Sequence, residues 1–317
     1  MSWTLPCIRR IVSVACGAVL AFVNLAAQGV PRTPGLDRFT VQSDGHPMAV
    51  WARIPENPRR AILLIHGRTW SSRPDFDLQV PGLHRSVLAD LAAQGVASYA
   101  LDQRGYGETP RDATGWLTPK RAAADVANVL TWIATRHPAL PKPALLGWSR
   151  GAAVAYLAAQ NFTSRMSALI LFGYVIDPDG EPFVDGLVAD QPAKTKNTKE
   201  DAISDFIEPD VTPDAMVKAF VDTALKTDPI LVDWKGEGEF SPLKAAAITV
   251  PTLLMHGEHD PNVPDDMAAK FFVKLGTPDR QYVVLPGADH CAQLEDTHDK
   301  FIAAIVGFLT RPAVSRK

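Results

Sequence analysis

Cysteine is scarce in this chain, with three residues in 317, and two of them, Cys7 and Cys16, fall within the first 27 positions. With that segment removed only Cys291 remains, which excludes an internal disulfide framework and leaves core burial as the source of stability. Basic excess is missing as well. A formal net charge of -3, with no stripe of Lys and Arg interleaved with aromatics, excludes a general nucleic-acid footprint. Metal-ligand spacing is absent: His256 and His259 form a pair without a third ligand, so no metal and no organic cofactor is expected. Long apolar runs are missing except at the start, where Arg9 and Arg10 precede an apolar stretch at 11–23 that ends in small residues near Ala27 and Gln28. A spanning helix needs ~20 apolar residues, and this run falls short. Residues 1–27 therefore read as a signal peptide, and a periplasmic or secreted protein is expected, with an N-terminal membrane anchor as the alternative.

What is present is the composition of a globular protein, 46% hydrophobic and 21% charged, without repeats or low-complexity tracts. After a Pro/Gly joint at 31–35, β-rich runs at 39–42 and 48–54 flank the turn Ser43-Asp44-Gly45, which predicts an antiparallel hairpin. Runs at 61–65, fully apolar, and 97–101, apolar but for Ser98, suit strands buried on both faces. Between them 83–95 has helical spacing and a C-terminal Gly95. Further alternation follows, with helices at 119–136, 151–160, 264–275 and 296–309 and strands at 143–146, 168–172, 252–255 and 281–285. The order predicts an α/β fold: a mostly parallel central sheet covered by helices on both faces, spanning about 37–311. The pattern lapses at about 175–242, where pieces at 199–207 and 213–225 are helical. That segment predicts a helical cap insertion over the sheet.

The sharpest local signal is Gly147-Trp148-Ser149-Arg150-Gly151, a G-x-S-x-G between a predicted strand and a predicted helix. Glycines on either side relieve crowding in a tight turn that exposes Ser149, and the helix beyond directs backbone N–H groups toward developing negative charge. Serine is a weak nucleophile and needs a base, which needs an orienting acid. Asp260 follows the strand at 252–255 and His290 the strand at 281–285, both in loops at strand C-terminal ends, where an open parallel sheet places its ligands. Asp177 and Asp179 compete for the acid's role, and His256, His259 and His298 for the base's, although a histidine alone is ordinarily a packed or surface residue. For Glu258, Asp289 and Glu295 local solvation is expected. The oxyanion of a tetrahedral intermediate calls for two donors: the N–H of Arg150 and, from the loop His66-Gly67-Arg68-Thr69-Trp70, the N–H of Arg68. His66 is expected to orient that loop rather than to carry protons. Trp70, Trp148, Phe183 and Phe206 are aromatic candidates for lining a pocket.

Together His66-Gly67, Asp102-Gln103-Arg104-Gly105-Tyr106-Gly107, Gly147-Trp148-Ser149-Arg150-Gly151, Gly257-Glu258-His259-Asp260 and Gly287-Ala288-Asp289-His290 resemble the α/β-hydrolase superfamily. The chain is similar to its single-domain esterase, lysophospholipase and serine-aminopeptidase-like group with a helical lid. The resemblance implies a Ser149, Asp260, His290 triad that cleaves a carboxylic ester through an acyl-enzyme, and a serine here argues against the branches whose nucleophile is Asp. Other reactions on the same triad are amide or peptide cleavage, cofactor-free haloperoxidation and carbon–carbon hydrolysis; a non-catalytic ligand-binding homologue is the alternative of another class. A small acyl compound is the expected partner, with no nucleic acid and no membrane insertion beyond the leader. Arg68 departs from the aromatic or small residue of many relatives. Its side chain either pairs with a carboxylate of the chain or, together with Trp70 and Trp148, contacts substrate by offering a planar fork to an anionic group.

Overall fold

The computed structural model describes residues 1, 34–174, 176–181, 184, 190–208 and 210–312. The expected leader, apart from Met1, and Phe183 lie outside them. Strands β1 (Asp37–Ser43), β2 (His46–Arg53), β3 (Arg60–Ile65), β4 (Val96–Leu101), β5 (Ala144–Trp148), β6 (Leu169–Phe172), β7 (Thr252–Gly257) and β8 (Arg280–Leu285) form one sheet in the order β1-β2-β4-β3-β5-β6-β7-β8. The opening hairpin pairs antiparallel, as does β2 with β4, and every later pair is parallel. Chain direction across the sheet reverses after β4, because β5 returns to the far side of β3. The C-terminal ends of β3 and β5 therefore border the crevice where such sheets bind ligands.

Alternation along the central strands divides the core. Leu63, Ile65 and Leu145 face α3 (Pro119–Arg136), α4 (Arg150–Asn161) and α7 (Asp265–Lys274), whereas Ile62, Leu64 and Leu146 face α2 (Val87–Ala93) and α8 (His298–Thr310). Helix α2 begins four residues later than its spacing predicts. Ser86 accepts the N–H of Ala89 as an N-cap, and Leu83 instead bridges to Val80, so capping chemistry overrides the apolar period there. Strand β5 runs two residues further than predicted, up to the residue before Ser149.

Within the segment read as a cap, α5 (Lys199–Ile203) and α6 (Asp214–Thr227) are the α-helices among the described residues, and a single 3-10 turn follows at Glu237–Phe240. Their buried faces, Ala202, Met216, Phe220, Val221 and Ala224, pack with Trp70, Leu78 and Leu294 into a third apolar cluster. Val232 and Trp234 rejoin the main core, and residue 234 bridges to Leu117. A short helix that the sequence pattern does not announce, α1 (Ser72–Phe76), follows the loop after β3. None of the described helices is long and apolar enough to cross a membrane.

Candidate active site

Strand β5 ends at Trp148 and α4 starts at Arg150, so Ser149 alone makes the turn, with φ +53° and ψ -124°. A non-glycine residue in that region stores strain that the surroundings must enforce. Both flanking glycines are required. A Cβ at Gly147 would lie 2.2 Å from the carbonyl oxygen of Gly151, and one at Gly151 would lie 2.3 Å from that of Ile65. The second close approach seats the first turn of α4 against the end of β3. There the N–H of Arg150 has no intrahelical acceptor and is free for an incoming anion.

The loop after β3 is held from several sides. Buried His66 accepts the N–H of Gln103 at Nε2 (3.1 Å), so Nδ1 carries the proton and donates to the Gly67 carbonyl (3.0 Å). Burial lowers the pKa of His66 to about 3, which keeps it neutral and suits an orienting role. Asp75 of α1 accepts the N–H of Gly67 (3.2 Å), and the Tyr106 hydroxyl donates to the carbonyl of Arg68. Asp228, at the C-terminus of α6, accepts the N–H of Ser71 (2.9 Å) and of Gly107 (2.8 Å). The peptide carrying Arg68 is thus fixed on both sides, and a Cβ on Gly67 would be 3.7 Å from the Cβ of Ser149.

His290 and Asp260 come together from the loops after β8 and β7. Nδ1 of His290 donates to Oδ2 of Asp260 at 2.9 Å, and the other oxygen of Asp260 accepts the N–H of Asn262 at 2.9 Å. The carboxylate fixes the proton on Nδ1 and leaves Nε2 as the acceptor. A Cβ at Gly173, whose φ is +62°, would sit 3.2 Å from the imidazole, so only glycine fits that corner. Arg68, Trp70, Trp148, Ser149, Asp205 and His290 are among the residues lining a cavity of about 220 Å³. A cavity of about 480 Å³ opens at the other end of the sheet, beside Arg60, Thr249 and Arg311. No histidine is among the residues lining it, whereas the smaller cavity is lined by both Ser149 and His290.

The competing residues have other partners. Asp177 is paired with Lys270 (2.6 Å) and Asp179 with Lys274. His256 stacks on Tyr282 and shares a 2.7 Å hydrogen bond with its hydroxyl, while His298 ties α8 to Asp90 of α2 (2.8 Å). His259 is exposed. Phe206 turns away onto Phe220, ring centroids 5.1 Å apart, and Ile207 lines the cavity instead. Trp70 donates its indole N–H to Asp205 (2.9 Å). Arg68 is exposed at the cavity, and no carboxylate among the described residues lies within ion-pair distance of its guanidinium. The expected solvation of Asp289 and Glu295 is overturned, because both are fully buried. Asp289 meets backbone N–H groups of the cap that adjacent residues in sequence do not reveal, and Glu295 accepts the N–H of Asp289. Asp75 escapes sequence reading because a five-residue helix is too short to show a period, and Asp228 because the N–H groups it accepts belong to residues 157 and 121 positions away.

A family model described as serine aminopeptidase, S33, matches residues 56–297. A monoacylglycerol lipase of Mycolicibacterium smegmatis (strain ATCC 700084 / mc(2)155) is 26% identical over 251 residues, which cover 74% of this chain and 82% of that relative. The solved esterase RhEst1 from Rhodococcus sp. ECU1013 is similar with a TM-score of 0.61 at 21% identity, covering 88% of this chain and 99% of its own. A meta-cleavage product hydrolase from Pseudomonas fluorescens IP01 has a TM-score of 0.61 at 15% identity, covering 86% and 97% respectively. The two structural likenesses show the fold expected from the sequence, and with a family model spanning most of its length the chain belongs to the serine aminopeptidase, S33, family of α/β hydrolases.

Proposed function

We propose that this chain is a serine ester hydrolase in which Ser149 is the nucleophile, His290 the base and Asp260 the acid that orients it. The observation that carries the reading is the 2.9 Å bond between His290 and Asp260 on a cavity that also holds Ser149 in its strained turn. Ser149 attacks the ester carbonyl as His290 takes its proton at Nε2. The N–H groups of Arg68 and Arg150 hold the resulting oxyanion. Collapse of the intermediate expels the alcohol, which receives the proton from His290. Water, deprotonated by the same imidazole, then attacks the acyl-enzyme, and collapse of the second intermediate expels the Ser149 oxygen, which takes the proton back from His290 as the acid is released. Asp260 keeps the imidazole in the tautomer that can accept and stabilises the imidazolium.

An ester is favoured over an amide because an alkoxide leaves more readily than an amine, and the name of the Mycolicibacterium relative agrees with that choice. A cavity of about 220 Å³ is below the ~300–1,000 Å³ of drug-sized sites, so short acyl groups are the proposed substrates, in contact with Trp70, Trp148 and the Arg68 side chain. The test is labelling with a fluorophosphonate and a panel of p-nitrophenyl esters beside aminoacyl p-nitroanilides. Label on Ser149 with faster ester than anilide turnover is expected. No label on Ser149 overturns the nucleophile, and faster anilide turnover overturns the substrate class. Export is the proposed location. Mass spectrometry of exported material is expected to give a start near Gln28, and an intact N-terminus on membranes would replace export with anchoring.

A further inference from the structure

The residues on both sides of His290 grip one and the same stretch of the cap segment. Before it, Asp289 accepts the N–H of Ile207 and of Glu208 at one carboxylate oxygen, each at 2.7 Å, and the N–H of Cys291 at the other, at 2.8 Å. After it, the thiol of Cys291 donates to the carbonyl of Asp205 at 3.1 Å. The backbone N–H of Asp289 in turn donates to Glu295 at 3.0 Å. Asp289 and Cys291 are fully buried. The stretch they hold supplies Asp205 and Ile207 to the wall of the cavity that contains Ser149.

From this juxtaposition we infer that Asp289 is a positioning residue that locks the cap stretch 205–208 and the catalytic imidazole into one unit, so that the cap sets where Nε2 points. The inference rests on the proposed role of His290 as base. Its physical ground is hydrogen-bond inventory. An ionised carboxylate offers only acceptors, and Asp289 meets three backbone donors. An amide at the same place keeps one acceptor and turns the other end into a donor facing an N–H. The loop must then shift, and a displacement of about 1 Å at a reacting group can cost on the order of 100-fold in rate.

The test compares Asp289→Asn with wild type by kcat and KM on p-nitrophenyl acetate and by amide hydrogen exchange at residues 207 and 208. The expected result is faster exchange at both amides together with a roughly 10- to 100-fold fall in kcat and little change in KM. A rise in KM at constant kcat would make the contact a mere wall of the cavity and overturn the inference, as would faster exchange with normal turnover. Should Asp289→Asn fold poorly, Glu208→Pro removes one of the cap donors without touching the His290 loop, and a smaller fall in kcat is expected from it. His290→Ala separates the two levels. If that variant still turns over, the base reading fails and this inference with it; an inactive His290→Ala beside an unimpaired Asp289→Asn overturns this inference alone.

Discussion

The indole N–H of Trp148 donates to the carbonyl of His290 at 2.9 Å, across 142 positions of sequence. The residue that precedes the proposed nucleophile thus holds the backbone of the proposed base, and the two rings lie 5.3 Å apart. Trp148→Phe keeps an aromatic ring in the buried space and removes the donor. Leaving a buried carbonyl unpartnered costs about 1–3 kcal/mol. The expected outcome is a fall in kcat of roughly tenfold with KM nearly constant, measured by steady-state ester hydrolysis. An unchanged kcat would mean that the imidazole is held in place without the Trp148 bond.

Ser149, His290 and Asp260 are expected to act as a unit. Ser149→Ala and His290→Ala should each reduce turnover by several orders of magnitude, and the double variant should be scarcely worse, because either change alone abolishes the shared step. Asp260→Asn should cost about 10⁴-fold with the fold intact, since the amide can present a donor to Nδ1 and stabilise the wrong tautomer. Asp177→Asn and Asp179→Asn are expected to retain activity, because their partners are lysines of α7. Losses that add in the double variant, or a crippling Asp177→Asn, would refute the assignment.

Glu295 makes a stability prediction with a definite sign. Burial first, and the neighbouring Asp289 carboxylate second, push its pKa from 4.5 to about 9. Between those values the folded protein holds a proton that the unfolded chain has released, so stability falls as pH rises through that window. Glu295→Gln supplies an amide N–H toward Asp289 and an oxygen for the N–H of Asp289, and it does not titrate. The variant is expected to lose part of the decline in Tm between pH 6 and pH 8.5 and to be the more stable protein at the upper end. Scanning calorimetry at the two pH values decides this, and parallel curves for the two proteins would count against a protonated Glu295.

The parts of this architecture legible in sequence are those whose cause is local. Ser149 is readable because the glycines its turn requires, Gly147 and Gly151, stand two positions to either side, although the carbonyl that excludes a side chain at Gly151 belongs to Ile65, and the apolar runs of β3 and β4 are readable because both faces are buried within the same short stretch. Order along the chain placed Asp260 and His290 at strand ends. Asp289, Glu295 and Asp228 were not legible, since an acid's role depends on what surrounds it. The donors that Asp289 satisfies in the cap are 81 and 82 positions away, and one of those met by Asp228 is 157 positions away. A carboxylate with no local clue reads as solvated. Helix α2 shows the converse case: the apolar period from residue 83 predicts an earlier start than the structure has, because Ser86 caps the helix by accepting the N–H of Ala89.

Arg68 unites a fixed backbone with an uncommitted side chain. Its carbonyl is held by Tyr106 and the preceding N–H by Asp75, so the loop does not depend on the guanidinium, and no described carboxylate pairs with that cation. Arg68→Met keeps the N–H proposed for the oxyanion and the apolar stem while removing the charge. If the guanidinium receives a carboxylate of the substrate, a charge-assisted hydrogen bond of about 1.5–3 kcal/mol is lost. KM for an anionic monoester such as p-nitrophenyl hemisuccinate should then rise roughly tenfold or more, while the neutral acetate ester is turned over within about twofold of wild type. The sign is checked by salt, because the advantage of the anionic ester in the wild-type protein should shrink as ionic strength rises. Equal losses of kcat on both esters would show that the loop had moved, and unchanged kinetics on both would leave the side chain in solvent with only its N–H in use.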